Sequence, residues 1–286
     1  MPDFFKLHPY TVLLYFVSVL VYSMVFMHPL FVGINVVLSF MACICLCPKE
    51  TAASAKYTIG FGILIMVLNP FFSTGGETVL FTYFGRNYTL QALVYGAVMA
   101  SIFICSINWF SAMGKVISTE KFLFLFGGRF PNLCTVLTMV MGLVPFFQKK
   151  LMEIDRAQGT IRQNTGFKHA FQSLNSAVSY AFEHAIGLSV SMKNRGFGSG
   201  RTTRFSDYRF RKYDFITLFI IVILNVSVVV NLFEYAVDIH LIPAIVIPLP
   251  HTEQVIGGVC FGVLLLLPTI MYIIKELQWQ YLKSKI

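Results

Sequence analysis

The 286-residue chain is 56% hydrophobic and only 12% charged, with 29 Phe against 2 Trp, which leaves too little charge to cover a water-soluble protein of this length. Its net charge of +9 is concentrated: from Lys149 to Lys212 twelve Lys or Arg face four Asp or Glu, a local +8. Basic charge gathered beside membrane helices marks a cytoplasmic segment, and no nucleic-acid-reading module or basic aromatic stripe accompanies it, so no nucleic-acid partner is expected.

The N-terminus, Met1-Pro2-Asp3-Phe4-Phe5-Lys6, lacks a basic stretch leading to a small-residue cleavage site, so no removable leader is expected. Beyond it, seven stretches hold no Asp, Glu, Lys or Arg: 11–26, 30–47, 58–72, 90–110, 131–147, 215–233 and 255–274. A crossing of about 30 Å of hydrocarbon takes roughly 20 helical residues. Runs 30–47, 90–110, 215–233 and 255–274 meet that length, while 11–26, 58–72 and 131–147 need flanking neutral residues. Strands are rejected, because the runs do not alternate and an unclosed sheet leaves backbone groups unpaired in lipid. The expected fold is an all-α polytopic membrane protein of about seven hydrophobic helices with two long amphipathic cytoplasmic helices. Residues 1–146 and 214–286 are read as transmembrane regions and 147–213 as the cytoplasmic one.

Turns are expected at His28-Pro29 and Thr74-Gly75-Gly76-Glu77, and Lys115 to Lys121 is a polar linker. The Phe122–Gly128 piece reads as an interfacial or partial helix, and Leu241–Pro250, with three prolines, as an extracytoplasmic loop. Cys43, Cys45 and Cys47 are spaced by two, which on a helix sends them to different faces, so the cysteines read as buried small hydrophobes without a metal. The six histidines form no ligand-spaced cluster, and no phosphate-binding loop is present, so the chain is expected to be non-catalytic and to carry no cofactor. Asn69, Asn108, Asn225 and Asn231 are polar residues within or beside the apolar runs, suited to hydrogen bonds between helices or to a solute.

The basic region carries the most information. Phe147, Leu151, Ile154 and Ile161, with Gln158 filling the missing step, recur at helical spacing while Lys149, Lys150, Glu153, Asp155, Arg156 and Arg162 take other faces. This is an amphipathic helix growing out of the preceding apolar run, broken at Asn164 to Gly166. A second helix is predicted from about His169 to Arg195, with a stripe of Ala170, Leu174, Ala177, Ala181, Ala185, Leu188 and Met192 widened by Phe171, Val178, Phe182 and Ile186. Its alanines let another helix backbone approach closely, and at about 40 Å it is a lever for the membrane surface. Gly196 is a natural left-handed terminator. Arg195 sits before it on the register of the stripe, where the helix's negative end favours a cation. Such an arginine suits either a bidentate contact with a partner or a lipid phosphate.

The sequence resembles the transmembrane coupling subunit of energy-coupling factor (ECF) transporters, a family that includes the membrane subunit of cobalt and nickel importers. The likeness runs through Leu7-His8-Pro9, His28-Pro29, Asn69-Pro70-Phe71-Phe72 with Gly75-Gly76-Glu77-Thr78-Val79-Leu80, Thr89-Leu90-Gln91-Ala92-Leu93, Trp109-Phe110 and Val144-Pro145. Its most specific part is Ser191-Met192-Lys193-Asn194-Arg195-Gly196-Phe197-Gly198, continued by Arg201-Thr202. The resemblance implies two cytoplasmic coupling helices whose tips dock into a pair of ABC-type ATPase subunits. It also implies a small membrane-embedded substrate-binding subunit, specific for a vitamin or a metal ion, packed against the Ala170–Met192 stripe. The expected setting is a bacterial cell membrane, crossed several times. Ala157-Gln158 matches the start of the family's first coupling motif, but its closing Arg-Gly falls on Ile161-Arg162. Either Arg162 takes that arginine's role after a one-residue shift, or this tip uses another contact. A self-contained secondary transporter or channel is the competing reading. It would need a solute site, and no intramembrane charge or clear inverted repeat suggests one. A membrane anchor for a non-transport complex is a third.

Overall fold

The computed structural model describes all residues except 1–3, 47, 73–77, 84–85, 162–165, 201–207, 235–251 and 284–286. In chain order the elements are a 3-10 turn (Phe4–Lys6), α1 (Pro9–Val25), α2 (Pro29–Leu46), α3 (Pro48–Phe72), β1 (Val79–Tyr83), β2 (Arg86–Thr89), α4 (Leu90–Val116), α5 (Thr119–Gly127), α6 (Pro131–Ile161), α7 (Phe167–Asn194), α8 (Lys212–Glu234) and α9 (Thr252–Lys283). Each of the seven apolar runs falls on a helix. Six helices are long and apolar enough to cross a membrane, and α1 is a shorter apolar helix of 17 residues. The chain is thus a multi-pass, helical membrane protein. The antiparallel hairpin β1–β2, pairing Thr82 with Asn87 and Tyr83 with Arg86, departs from the all-helical expectation. The expected turn at Thr74–Glu77, Arg201-Thr202 and the Leu241–Pro250 loop lie outside the described residues.

The chain divides into two compact units, Met1–Phe122 with Tyr208–Ile286, and Leu123–Asp207. α6 belongs wholly to the second unit.

In the first unit, local sequence sets the helix starts. His8 and His28 each precede a proline, whose missing N–H is harmless at the first helical position. Both imidazoles accept a hydrogen bond through Nδ1 from the backbone two residues on, Tyr10 at 3.4 Å and Leu30 at 3.3 Å. Thr89 caps α4 in the same way through Ala92. The core gathers Tyr15, Phe16, Trp109, Phe261, Leu264 and Leu265, all buried. At Gly96 a β-carbon would stand 2.9 Å from the carbonyl oxygen of Met66, so only glycine lets α3 and α4 approach this closely. The outer surface is a belt of exposed Val, Leu, Ile and Phe, including Val37, Ile63, Phe219 and Ile256, and lipid is the solvent such a belt requires.

Asparagine amides stitch the bundle. Asn69 donates to the Ala92 carbonyl (2.9 Å), Asn108 to Ser39 (3.2 Å), and Asn225 accepts from the Tyr22 hydroxyl (2.7 Å). Asn231 instead donates to the Ser227 carbonyl of its own helix. Asn35, not among the asparagines marked in the sequence, joins three helices: it donates to Ser23 and accepts from the indole of Trp109, both at 3.0 Å, linking α1, α2 and α4.

The second unit holds α6, α7 and most of α5. α6 continues without a break from the apolar run into the amphipathic one, through Pro145. It packs against α7.

Candidate functional site: the α6–α7 hairpin and the Arg195 tip

The two amphipathic helices meet along a seam with a polar end and an aromatic end. At the polar end Ser173, 3% exposed, donates to Asp155 (3.1 Å) and to Gln158 (2.9 Å), while the Gln158 amide donates to Ser176 (3.0 Å). Lys150 lies over the Tyr180 ring at 5.1 Å and pairs with Glu153 at 2.9 Å. At the other end His184 stacks on Phe146 at 4.7 Å and meets Phe147 edge-on at 5.9 Å. Rising positions on α6 thus meet falling positions on α7, so the helices run antiparallel. A hydroxyl, an amide and a carboxylate fix their register, because a one-turn slip would unpair each of them.

This seam rearranges the expected stripe on α7. Ala177, Ala181, Leu188 and Met192 are half-buried, whereas Ala170, Leu174 and Ala185 are exposed. The face turned to α6 centres on Ser173, Ala177, Tyr180 and His184. Roughly opposite, at 100° per residue, stand Phe171 (63% exposed), Val178 (45%), Phe182 (69%) and Ile186 (68%). The helix has two working faces: one meets α6, the other is apolar and bare. Ser173, Tyr180 and His184 were not singled out in the sequence because polar residues on an apolar register count against a seam. What identifies them is complementarity to Asp155, Gln158 and Phe146, which exists only once the helices are paired.

The tip of α7 is built by its backbone. Gly196 has φ of +81°, the left-handed conformation for which glycine is the least strained choice. The Phe197 N–H donates to the Met192 carbonyl (3.0 Å), and the Gly196 N–H to Lys193 (2.9 Å). These are the two bonds of a Schellman motif, which satisfies carbonyls that a helix end otherwise leaves open. Arg195 is the capping residue and is exposed, and its backbone N–H still bonds back to Ser191 and Met192. The side chain therefore projects from a fixed helix end rather than from a loose loop. The Ser199 hydroxyl and N–H both donate to the Gly196 carbonyl, at 2.6 and 3.1 Å, tightening the turn that follows.

At the other tip, Ala157 is exposed on α6 and Gln158 is tied into the seam. Arg162 lies outside the described residues. Among the described residues no three His, Cys, Asp or Glu side chains are grouped to hold a metal. No protein-family model matches the chain, and no curated protein matches it either.

Proposed function

We propose that this chain is the transmembrane coupling subunit of an ATP-driven importer of the ECF type. It would pass the motion of two ABC-type ATPase subunits to a separate, small membrane-embedded subunit that binds a vitamin or a metal ion. The observation that carries this reading is the form of α7. Its 28 residues end in a rigid Schellman turn displaying Arg195, with one face registered on α6 and the opposite apolar face bare. A lever needs a grip at its tip, a brace along one side and a load-bearing surface on the other; these are the three features named. The role is one of transmission, and the hydrolytic chemistry belongs to the partners.

Sidedness supports it too. In the first unit the Lys121 ammonium donates to the Phe5 carbonyl (2.7 Å), while the His8 ring stacks on Phe210 at 3.7 Å. The chain therefore leaves this unit and returns to it beside the same short stretch, residues 5–8. A segment that starts and finishes at one face crosses the membrane an even number of times. α6 is apolar and long enough for a crossing, but α7 is not among the candidate spans. In this reading neither crosses, which departs from the crossing expected at 131–147: α5, α6 and α7 are assigned to the cytoplasmic side with their excess of positive charge. The N-terminus shares that side, and the crossings are α1–α4, α8 and α9.

The test is Arg195→Ala, compared with Arg195→Lys at matched membrane abundance. The readouts are co-purification of two nucleotide-binding subunits and uptake of a panel of radiolabelled vitamins and nickel ion. Losing a paired guanidinium should cost about 2–5 kcal/mol of assembly free energy, and lysine should restore only part of it, lacking the planar fork. Retained uptake with an intact complex in Arg195→Ala would overturn the coupling role of this residue. A cysteine at position 200 or at Lys6, labelled in intact cells by an impermeant reagent, would overturn the sidedness.

A further inference from the structure

Asp214 is 4% exposed, beside the start of an apolar helix, and a buried carboxylate there requires compensation. It finds this in two backbone N–H groups. One oxygen accepts from Arg211 at 2.9 Å, the residue before α8; the other accepts from His8 at 3.0 Å, the residue before α1. The first contact is half of a capping box, an acidic side chain in the first turn reaching back to the capping residue's N–H. The second extends it to another helix, so one negative charge sits at two positive helix ends. The two helices run parallel, since Tyr22 bonds to Asn225 further along both.

We propose that Asp214 is a positioning residue for coupling. It clasps the start of α8 to the start of α1, and together with the Lys121–Phe5 bond it anchors both roots of the 123–207 segment to one pivot. This rests on the transmission role proposed above. Apolar helices in lipid slide and rotate against one another at little cost, whereas a carboxylate shared between two N–H groups holds direction and register. Behind the pivot, Phe4 packs edge-on against Tyr15 at 5.4 Å and Phe16 at 6.0 Å, and Leu7 is 1% exposed, so residues 4–8 are seated in the core. Displacement of the segment at residues 208–211 is thereby delivered to α1 and the core.

Asp214→Asn tests this while preserving shape: the amide keeps one acceptor and turns a donor towards the other N–H. Two measurements are made on the full chain. First, spin labels at the exposed positions Leu14 and Ile216, in nanodiscs without partners, should give a narrow distance distribution in the wild type and a broad one in Asp214→Asn. An equally narrow distribution overturns the clasp whatever the protein does. Second, in the assembled complex, transport of the same vitamin and nickel panel per ATP hydrolysed should fall roughly tenfold in Asp214→Asn, with less loss in Lys121→Met, since Lys121 makes one of these bonds and Asp214 two. An unchanged ratio overturns the transmission role, as does loss of transport strictly in proportion to lost assembly in both variants. If the wild-type chain assembles with no ATPase, the coupling reading falls, and the label distances still decide the clasp.

Discussion

The first unit turns its chemistry inward, the second outward. Around Trp109 the side chains of Tyr15, Phe16 and Phe261 are enclosed, and buried amides such as Asn35 and Asn108 are matched to partners on neighbouring helices. Along α7 the reverse holds: Phe171, Phe182 and Ile186 are each more than 60% exposed, and the buried polar seam serves only to keep α6 in register. The contrast separates two uses of hydrophobicity in one chain. In the bundle it secures a fold in lipid, with hydrogen bonds selecting which helices pair; on α7 the face turned away from α6 stays exposed, and it is the surface to which the proposed function assigns a partner.

Substitutions at matched depths should break this contrast if it is wrong. The largest effect is expected for Trp109→Ala, which empties a fully enclosed site and removes the donor to Asn35. Its unfolding free energy, measured by denaturant titration in mild detergent, should drop by about 3–5 kcal/mol. Asn35→Leu keeps the volume but strands the Trp109 N–H, and about 1–2 kcal/mol is expected to be lost. A neutral result would show that the amide is incidental.

Acidification sharpens the comparison at the junction. Burial lowers the pKa of His8 below its ordinary 6.5, and the Asp214 charge only partly opposes this. A histidine with a depressed folded pKa contributes stability that is complete above about 6.5 and is lost as pH falls through the folded value. The neutral ring is also the form whose Nδ1 can cap α1. Melting of the wild type should therefore drop more between pH 7.5 and 5.5 than that of His8→Asn, which caps without titrating; equal drops would remove His8 from the account.

The smallest effect on stability is expected at Phe182→Ser. At 69% exposure it should change the unfolding free energy of the isolated chain by less than about 0.5 kcal/mol. Under the proposed coupling role, the same change should release the substrate-binding subunit from the complex. A stability loss as large as that of Asn35→Leu would mean the face is covered within this chain.

The periodicity of 147–161 and 169–195 was enough to place a helix over each span, because 3.6-residue spacing is a local property. Gly196 was legible as a terminator for the same reason: its backbone freedom belongs to the residue itself, and the structure finds φ of +81° there. Apolar runs without charge likewise sufficed to mark seven helices. What the sequence could not disclose is anything requiring two distant segments at once. The Asn35–Trp109 bond spans 74 positions, the Asp214–His8 bond 206. Neither residue type announces its partner, since an asparagine or aspartate can bond to any donor brought within reach. The stripe on α7 shows the same division. Sequence supplied the helix and its apolar residues, but which side would meet α6 was decided by Asp155 and Gln158 standing opposite Ser173. A hydrogen-bonded register exists only between surfaces already in contact, so the seam, the bare face and the clasp belong to the tertiary structure alone.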